Sequence, residues 1–286
     1  MDMILDAHCK INLGLDVLSR RDDGYHEVRM IMQSLSLADK VSLKKNNDNI
    51  IRVSTSNSDL PPGESNLAYK AAKAVFDRYS IAGGVDIFLE KNIPMAAGLA
   101  GGSADAAAVI KGVAELFDTK ASIEELMKLA AKIGADVPFC IKNGLSLCEG
   151  IGEILTPLTP IEADYVLLIK PDVSVSTAQV YGRLELGGVA HPDIDMLIKC
   201  LGKQDFKEAS KYTGNVLESV TLKIHPYIKD IKNLMKKCGA YISLMSGSGP
   251  TVFGIFPDEK SMNLAYKEAE SLDNISNIIK TSFLHV

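Results

Sequence analysis

The segment Pro94-Met95-Ala96-Ala97-Gly98-Leu99-Ala100-Gly101-Gly102-Ser103-Ala104-Asp105 leaves the chain few ways to fold around it. It consists almost wholly of small residues and runs straight into Ala106-Ala107-Ala108-Val109, a stretch of good helix formers. Small side chains let backbone N–H groups face a ligand. At a helix N-terminus those donors add to the positive end of the helix dipole, so a phosphate chain is the natural occupant. It is not a Walker loop, because no Gly-x-x-x-x-Gly-Lys-Ser/Thr string occurs. Taken alone, the segment also reads as a turn that merely lets a strand and a helix pack closely. Gly83-Gly84 has only that simpler reading.

The surrounding pattern supplies the context. Residues 3–17 and 27–45 are strand-like, joined through Arg20-Arg21-Asp22-Asp23-Gly24-Tyr25-His26, whose Asp-Gly pair signals a turn. Leu67, Ala71, Val75 and Tyr79 recur every four residues and predict a helix beginning near Ser65. Val85 to Leu89 reads as a strand, Ala106 to Phe117 as a helix, and Ser122 with Glu125 as a capping box opening a further helix that stops by Gly134. The second half opens with a strand at Tyr165 to Ile169. Helices are expected from Thr177, over Pro226 to Lys237 and over Glu259 to Ser271, with strands around Ile242, Val252 and Ile279. That order fits a split βαβ sandwich with helices on one face of an antiparallel sheet, an α+β fold. The Pro-containing stretch Thr156 to Pro160 is the expected junction, giving domains 1–158 and 159–286.

Composition sets the outer bounds. A chain of 286 residues is long for one core and suits two moderate domains. A net charge of -5 gives no overall basic field for nucleic acid. Five scattered cysteines, without a C-x-x-C pair, read as reduced and buried thiols. Asp2 and Asp6 do not resemble a secretory signal, and the uncharged run Ala240 to Phe256 is too short and too broken by Gly and Pro to span a membrane, so the cytoplasm is expected.

Three segments together resemble the galactokinase, homoserine kinase, mevalonate kinase and phosphomevalonate kinase superfamily: Lys10-Ile11-Asn12-Leu13-Gly14-Leu15, the segment from Pro94, and Ser246-Gly247-Ser248-Gly249-Pro250-Thr251-Val252-Phe253, in the superfamily's order. Within it, Ala7-His8-Cys9-Lys10-Ile11-Asn12-Leu13, Arg20 to Glu27, Gly134-Ala135-Asp136-Val137-Pro138-Phe139 and Val175-Ser176-Thr177-Ala178 are most similar to the family of 4-diphosphocytidyl-2-C-methyl-D-erythritol kinases. The resemblance implies ATP-dependent phosphorylation of a tertiary 2-hydroxyl in the non-mevalonate route to isoprenoid precursors. It also implies a ribosomal-protein-S5-like first domain and a ferredoxin-like second domain. Where many members read Gly-Gly-Gly-Leu-Gly-Gly-Gly-Ser-Ser, this chain has Ala at 96, 97, 100 and 104. The lost hydroxyl at Ala104 leaves Ser103 or Asp105 as substitutes at the Mg, or a Mg held mainly by phosphates and water.

The resemblance also implies site residues. Asp136 would accept the hydroxyl proton, a task a carboxylate can perform; by its residues alone, an Asp after Gly134-Ala135 reads as a helix cap. Lys10 would pair with Asp136, an adjacent cation favouring the charged carboxylate, whereas a lone lysine at a strand end is ordinarily solvated. The ATP-binding set is Pro94, Met95, Ala96, Ala97, Gly98, Leu99, Ala100, Gly101, Gly102, Ser103 and Ala104, with Asn66, which alternatively caps its helix. Tyr25 and His26 would receive the cytosine, Tyr181 its other face, and Asn12 and Thr177 the polyol or diphosphate of the cytidine diphosphate-linked methylerythritol. The third motif would border the site. His8, His191, His225 and His285 lack ligand spacing, and the charged helix faces near Glu124 and Lys232 read as solvated surface. Two other readings stay open: a sibling kinase acting on homoserine or a mevalonate derivative, and a noncatalytic nucleotide- or RNA-binding protein sharing the S5-like architecture.

Overall fold

The computed structural model describes residues 2–61 and 63–285. Two long strands, β1 (Asp2–Arg20) and β2 (His26–Asn46), pair as a hairpin. Its turn is closed by Arg21 N–H donating to Tyr25 O at 2.8 Å. β3 (Ile51–Thr55) precedes α1 (Leu67–Tyr79), then β4 (Gly84–Glu90), α2 (Gly101–Leu116), α3 (Ile123–Ala131) and α4 (Val137–Lys142). β5 (Leu145–Glu149), β6 (Ile154–Pro157) and β7 (Val166–Pro171) follow. The remainder runs α5 (Thr177–Gly182), α6 (Ile194–Leu201), α7 (Phe206–Ala209), α8 (Glu218–Ile224), α9 (Tyr227–Lys237), β8 (Ile242–Met245), β9 (Val252–Ile255), α10 (Glu259–Glu270) and β10 (Ile275–Thr281). The mixture is α+β.

The chain forms two compact units of interleaved sequence. One comprises Met1–Cys9, Leu37–Ile93 and Ala100–Asn143. Here β4 pairs antiparallel with the end of β2 and parallel with β3. Alternation sends Val41, Leu43, Val53, Val85, Ile87 and Leu89 inward, while Lys40, Arg52, Phe88 and Glu90 face solvent. α2 is buried almost all round, from Ala104 to Ile110 and again at Gly112 and Val113, and a Cβ on Gly112 would lie 2.2 Å from Leu43 Cδ1. α1 turns Ala68, Ala71, Ala72 and Val75 inward, so Ala71 and Val75 of the expected stripe are buried while Leu67 and Tyr79 at its ends are only partly so. The Ser122 and Glu125 capping box is present on α3.

The other unit comprises Lys10–Ser36, Pro94–Leu99 and Gly144–Val286. Its antiparallel sheet has the order β10-β7-β9-β8. α9 and α10 cover one face, and Leu167, Ile169, Ile231, Met235, Phe256 and Ala265 pack into one core. The first part of β2 pairs with β5, and β5 with β6. All five cysteines are buried and unbonded to one another. Among the described residues no helix is long and apolar enough to cross a membrane.

Candidate active site

Lys10 and Asn12 share one face of β1 because strand side chains alternate. Lys10 is only 4% exposed and Asn12 is fully buried, so the solvated strand-end reading of Lys10 fails. The Lys10 ammonium donates to Asn12 Oδ1 at 2.8 Å, and Asn12 Nδ2 reaches Met30 Sδ at 3.2 Å. The strand here meets both glycine-rich segments of its unit, one through its backbone and one through these side chains. Lys10 N–H donates to Leu99 O at 3.1 Å, and a Cβ on Gly247 would lie 3.6 Å from Lys10 Nζ and 3.7 Å from Asn12 Oδ1. The third motif is the turn between β8 and β9, and it packs backbone to backbone on Pro94–Leu99. Ser246 Oγ donates to Gly98 O at 2.9 Å, and a Cβ on Gly98 would lie 2.2 Å from Ser246 O.

The residues expected at the cytosine belong to this unit as well. Tyr25 stands 58% exposed at the hairpin tip. The His26 and Tyr181 rings are 5.0 Å apart and tilted by 42°. Burial, helped by the Arg20 charge, lowers the basicity of His26. Thr177 opens α5, whose N-cap is Ser176, and its hydroxyl lies 2.8 Å from Ser248 Oγ of the third motif.

The second part of the small-residue segment lies in the other unit, and it is helix earlier than its glycines suggest. α2 starts at Gly101, with Ala100 as a left-handed N-cap (φ 58°) that offers no side-chain cap bond. Gly101 to Ser103 therefore open the first turn, where backbone N–H groups lack intrahelical partners and favour an anion, while Ala104 N–H donates to Ala100 O at 2.9 Å. Asp105 closes that turn. It is 3% exposed and its Oδ2 lies 2.5 Å from Lys91 Nζ, which also pairs with Asp39. Asp39 Oδ1 accepts from Asn92 N–H at 2.6 Å and Ile93 N–H at 2.8 Å. Burial pushes the Asp105 carboxyl up to about 7 against the pull of Lys91, with the Asp39 charge adding to the rise. Neither Lys91 nor Asp39 has a local sequence signal, since both act on partners far along the chain.

Asn66 caps α1: Oδ1 accepts from Ala68 N–H and Nδ2 donates to Pro61 O, both at 2.9 Å. Asp136 occupies the N-cap position of α4, yet its side chain makes no capping bond. Among the described residues no group of three or more His, Cys, Asp or Glu is arranged to hold a metal ion. Asp105 Oδ2 is taken by Lys91, while its buried Oδ1 has no hydrogen-bond partner among the described residues. Lys232, expected on a solvated face, is mostly buried and pairs with Glu218.

Residues 66–144 match the model of the GHMP kinases N terminal domain and residues 197–273 that of the GHMP kinases C terminal domain. With these two domains, a small-residue segment that opens a helix and a glycine turn between two later strands, the chain is a GHMP-type small-molecule kinase. A relative from Lachnoclostridium phytofermentans named 4-diphosphocytidyl-2-C-methyl-D-erythritol kinase is 50% identical over 270 residues, covering 94% of this chain and 93% of that protein. One of the same name from Acetivibrio thermocellus is 52% identical over 264 residues, covering 92% and 93%. The chain belongs to the 4-diphosphocytidyl-2-C-methyl-D-erythritol kinase family. A crystal structure of 4-(cytidine 5'-diphospho)-2C-methyl-D-erythritol kinase aligns with a TM-score of 0.84 at 29% identity, covering 99% of this chain and all of that one. A homoserine kinase from Cytophaga hutchinsonii, 20% identical with a TM-score of 0.78 over 99% and 95% of the two chains, shares the fold.

Proposed function

We propose that this chain is a cytoplasmic enzyme that transfers the γ-phosphoryl group of ATP to the tertiary 2-hydroxyl of 4-diphosphocytidyl-2-C-methyl-D-erythritol, in the non-mevalonate route to isoprenoid precursors. The observation that carries this reading is Lys10, a mid-strand residue whose buried ammonium faces Gly247 and whose backbone N–H donates to Leu99 O, in a chain half identical to kinases of that name.

In this mechanism the acceptor oxygen attacks the γ-phosphorus, the bond from phosphorus to the β,γ-bridging oxygen breaks, and ADP leaves. Asp136 takes the hydroxyl proton and Lys10 lowers the cost of negative charge on the acceptor oxygen. The segment from Pro94 to Ala104, with Asn66 nearby, holds the nucleotide. Tyr25, His26 and Tyr181 receive the cytosine, and Asn12 and Thr177 contact the remainder of the acceptor. Mg bound with the nucleotide would neutralise phosphate charge and would be held mainly by phosphate oxygens and water. A domain junction near residues 158 and 159 accompanies the reading, outside both matched stretches.

The test is incubation of the purified protein with Mg, ATP and the cytidyl substrate, with the new phosphate located by phosphorus NMR. A new phosphate ester at the 2-oxygen is the expected product. Absence of acceptor-dependent ADP release overturns the reading, and turnover of homoserine or mevalonate in its place moves the chain to a sibling activity.

A further inference from the structure

The third-motif turn has glycines at its two left-handed positions, Gly247 (φ 56°) and Gly249 (φ 85°). Glycine reaches such conformations freely but does little to hold them, so the turn needs restraint from outside. Besides Pro94–Leu99, residues 215–221 supply it, and none of these stands out in the sequence.

Asn215 is 6% exposed. Its backbone is fixed beside β1, because Leu15 N–H donates to Gly214 O at 2.8 Å and Val216 N–H to Leu15 O at 3.0 Å. Asn215 Nδ2 donates to Met245 O at 2.8 Å and to Gly247 O at 2.7 Å, while its Oδ1 accepts from Leu217 N–H at 3.0 Å. Both amide hydrogens are thus spent on the turn. Glu218 Oε1 accepts from Met245 N–H at 2.9 Å, and Thr221 Oγ1 donates to Ser248 O at 3.2 Å. The three side chains recur at three-residue spacing, which puts them on one side of α8 and its lead-in. Behind the turn stand Asn215 and Thr221. In front of it, Gly247 faces Lys10 and Asn12, and the Ser248 hydroxyl meets Thr177.

We propose that Asn215 and Thr221 are positioning residues for phosphoryl transfer: Asn215 sets the Gly247 end of the turn against the Lys10 ammonium, and Thr221 sets the Ser248 end against the Thr177 hydroxyl. The assignment rests on the kinase reading for its kinetic consequences. Its geometric consequence, control of the surroundings of Lys10, does not. The two residues act on different constants. Displacing Gly247 disturbs the group that stabilises the transition state, whereas displacing Ser248 disturbs a contact to the acceptor.

Asn215→Asp keeps the shape but sets a carboxylate against two carbonyl oxygens, and Thr221→Val keeps the shape without the hydroxyl. Steady-state constants are measured per nucleotide-binding site counted by titration, alongside the rate at which an acylating reagent labels Lys10, read by peptide mass spectrometry. For Asn215→Asp, kcat falls by about tenfold or more, both KM values stay within about twofold, and Lys10 labelling changes several-fold while Lys170 labelling does not. For Thr221→Val, KM for the cytidyl substrate rises about three- to tenfold with kcat and the ATP KM unchanged. If the carboxylate prevents folding, Asn215→Ala gives the same readouts. Variants that lose only thermal stability, or unchanged Lys10 labelling, overturn the proposal. A wild-type protein inactive toward the cytidyl substrate, whose Lys10 labelling still responds to Asn215→Asp, overturns the kinase reading and leaves the positioning role standing.

Discussion

Lys10 Nζ lies 2.8 Å from Asn12 Oδ1, two residues along the same strand face, and Asn12 is itself tied through Nδ2 to Met30 Sδ. Asn12 is thus fixed in its turn, and its carbonyl oxygen orients the ammonium. Lys10→Ala is expected to lower kcat by on the order of 10²–10³, the cost of losing one preorganised donor, with the fold intact by circular dichroism. Asp136→Ala, which removes the proposed base, is expected to cost about 10²–10⁴. Steady-state phosphorylation checks both. Near-normal turnover by either purified variant removes that residue from the mechanism.

Tyr25 is exposed at the hairpin tip and contributes little to folding. If its ring stacks on the cytosine, Tyr25→Ala loses roughly 1–3 kcal/mol of binding, about a 5- to 100-fold rise in KM for the cytidyl substrate. The KM for ATP and the thermal midpoint should stay unchanged. Equal increases for both substrates would count against stacking.

The outline of the fold was legible because its signals are local. The Asp-Gly turn, the Ser122 capping box and the strand-helix alternation of the second half all rest on neighbours within a few residues. β3 was not foreseen: Ile51–Thr55 is only five residues long and gains its place by parallel pairing with β4, a partner more than thirty residues away. α2 starts at Gly101, five residues before the expected Ala106: Gly101 and Gly102 are poor helix formers, and propensity alone defers the helix. Burial of the whole helix and the anchoring of Asp105 by Lys91 outweigh that penalty. At the site, Lys10 and the glycine segments carry motif signals. Asn215, Thr221, Lys91 and Asp39 carry none, since a polar residue in a short apolar stretch does not announce a buried partner elsewhere in the chain.

The Asp105 carboxyl makes native stability depend on pH in a stated direction. Its ordinary value is 3.8, and burial beside Asp39 raises it to about 7 in the fold despite Lys91. Between those values the unfolded chain has lost a proton that the native state keeps, so this contribution is fully present below about 4 and declines as pH rises through 7. Asp105→Asn removes the titration while Lys91 retains Asp39 as a partner. The midpoint of the variant relative to wild type should therefore move in the variant's favour, by a few degrees, between pH 5 and pH 8. Differential scanning calorimetry across that range checks it, and a difference that stays flat rejects a titrating Asp105.

Two alanines of the segment from Pro94 to Ala104 carry a conformational cost that glycine would relieve. Ala96 (φ 48°) and Ala100 (φ 58°) are both left-handed, a region that costs a residue with a Cβ about 1–2 kcal/mol. Replacing either by glycine removes that strain but frees the unfolded chain, which offsets about 0.5–1 kcal/mol. Ala96→Gly and Ala100→Gly should each gain about 0.5–1 kcal/mol by urea denaturation. Ala100→Gly should gain the more, because glycine is also the better N-cap. Gly98 (φ 74°) is the opposite case. A Cβ there would sit 2.2 Å from Ser246 O and 3.1 Å from both the N and O of Gly249, all backbone atoms that cannot rotate away. Gly98→Ala should therefore lose more than about 2 kcal/mol, and because the displaced turn also faces Lys10, it should lower kcat as well. A stable Gly98→Ala with full activity would show that the two glycine segments are not in the close backbone contact described above.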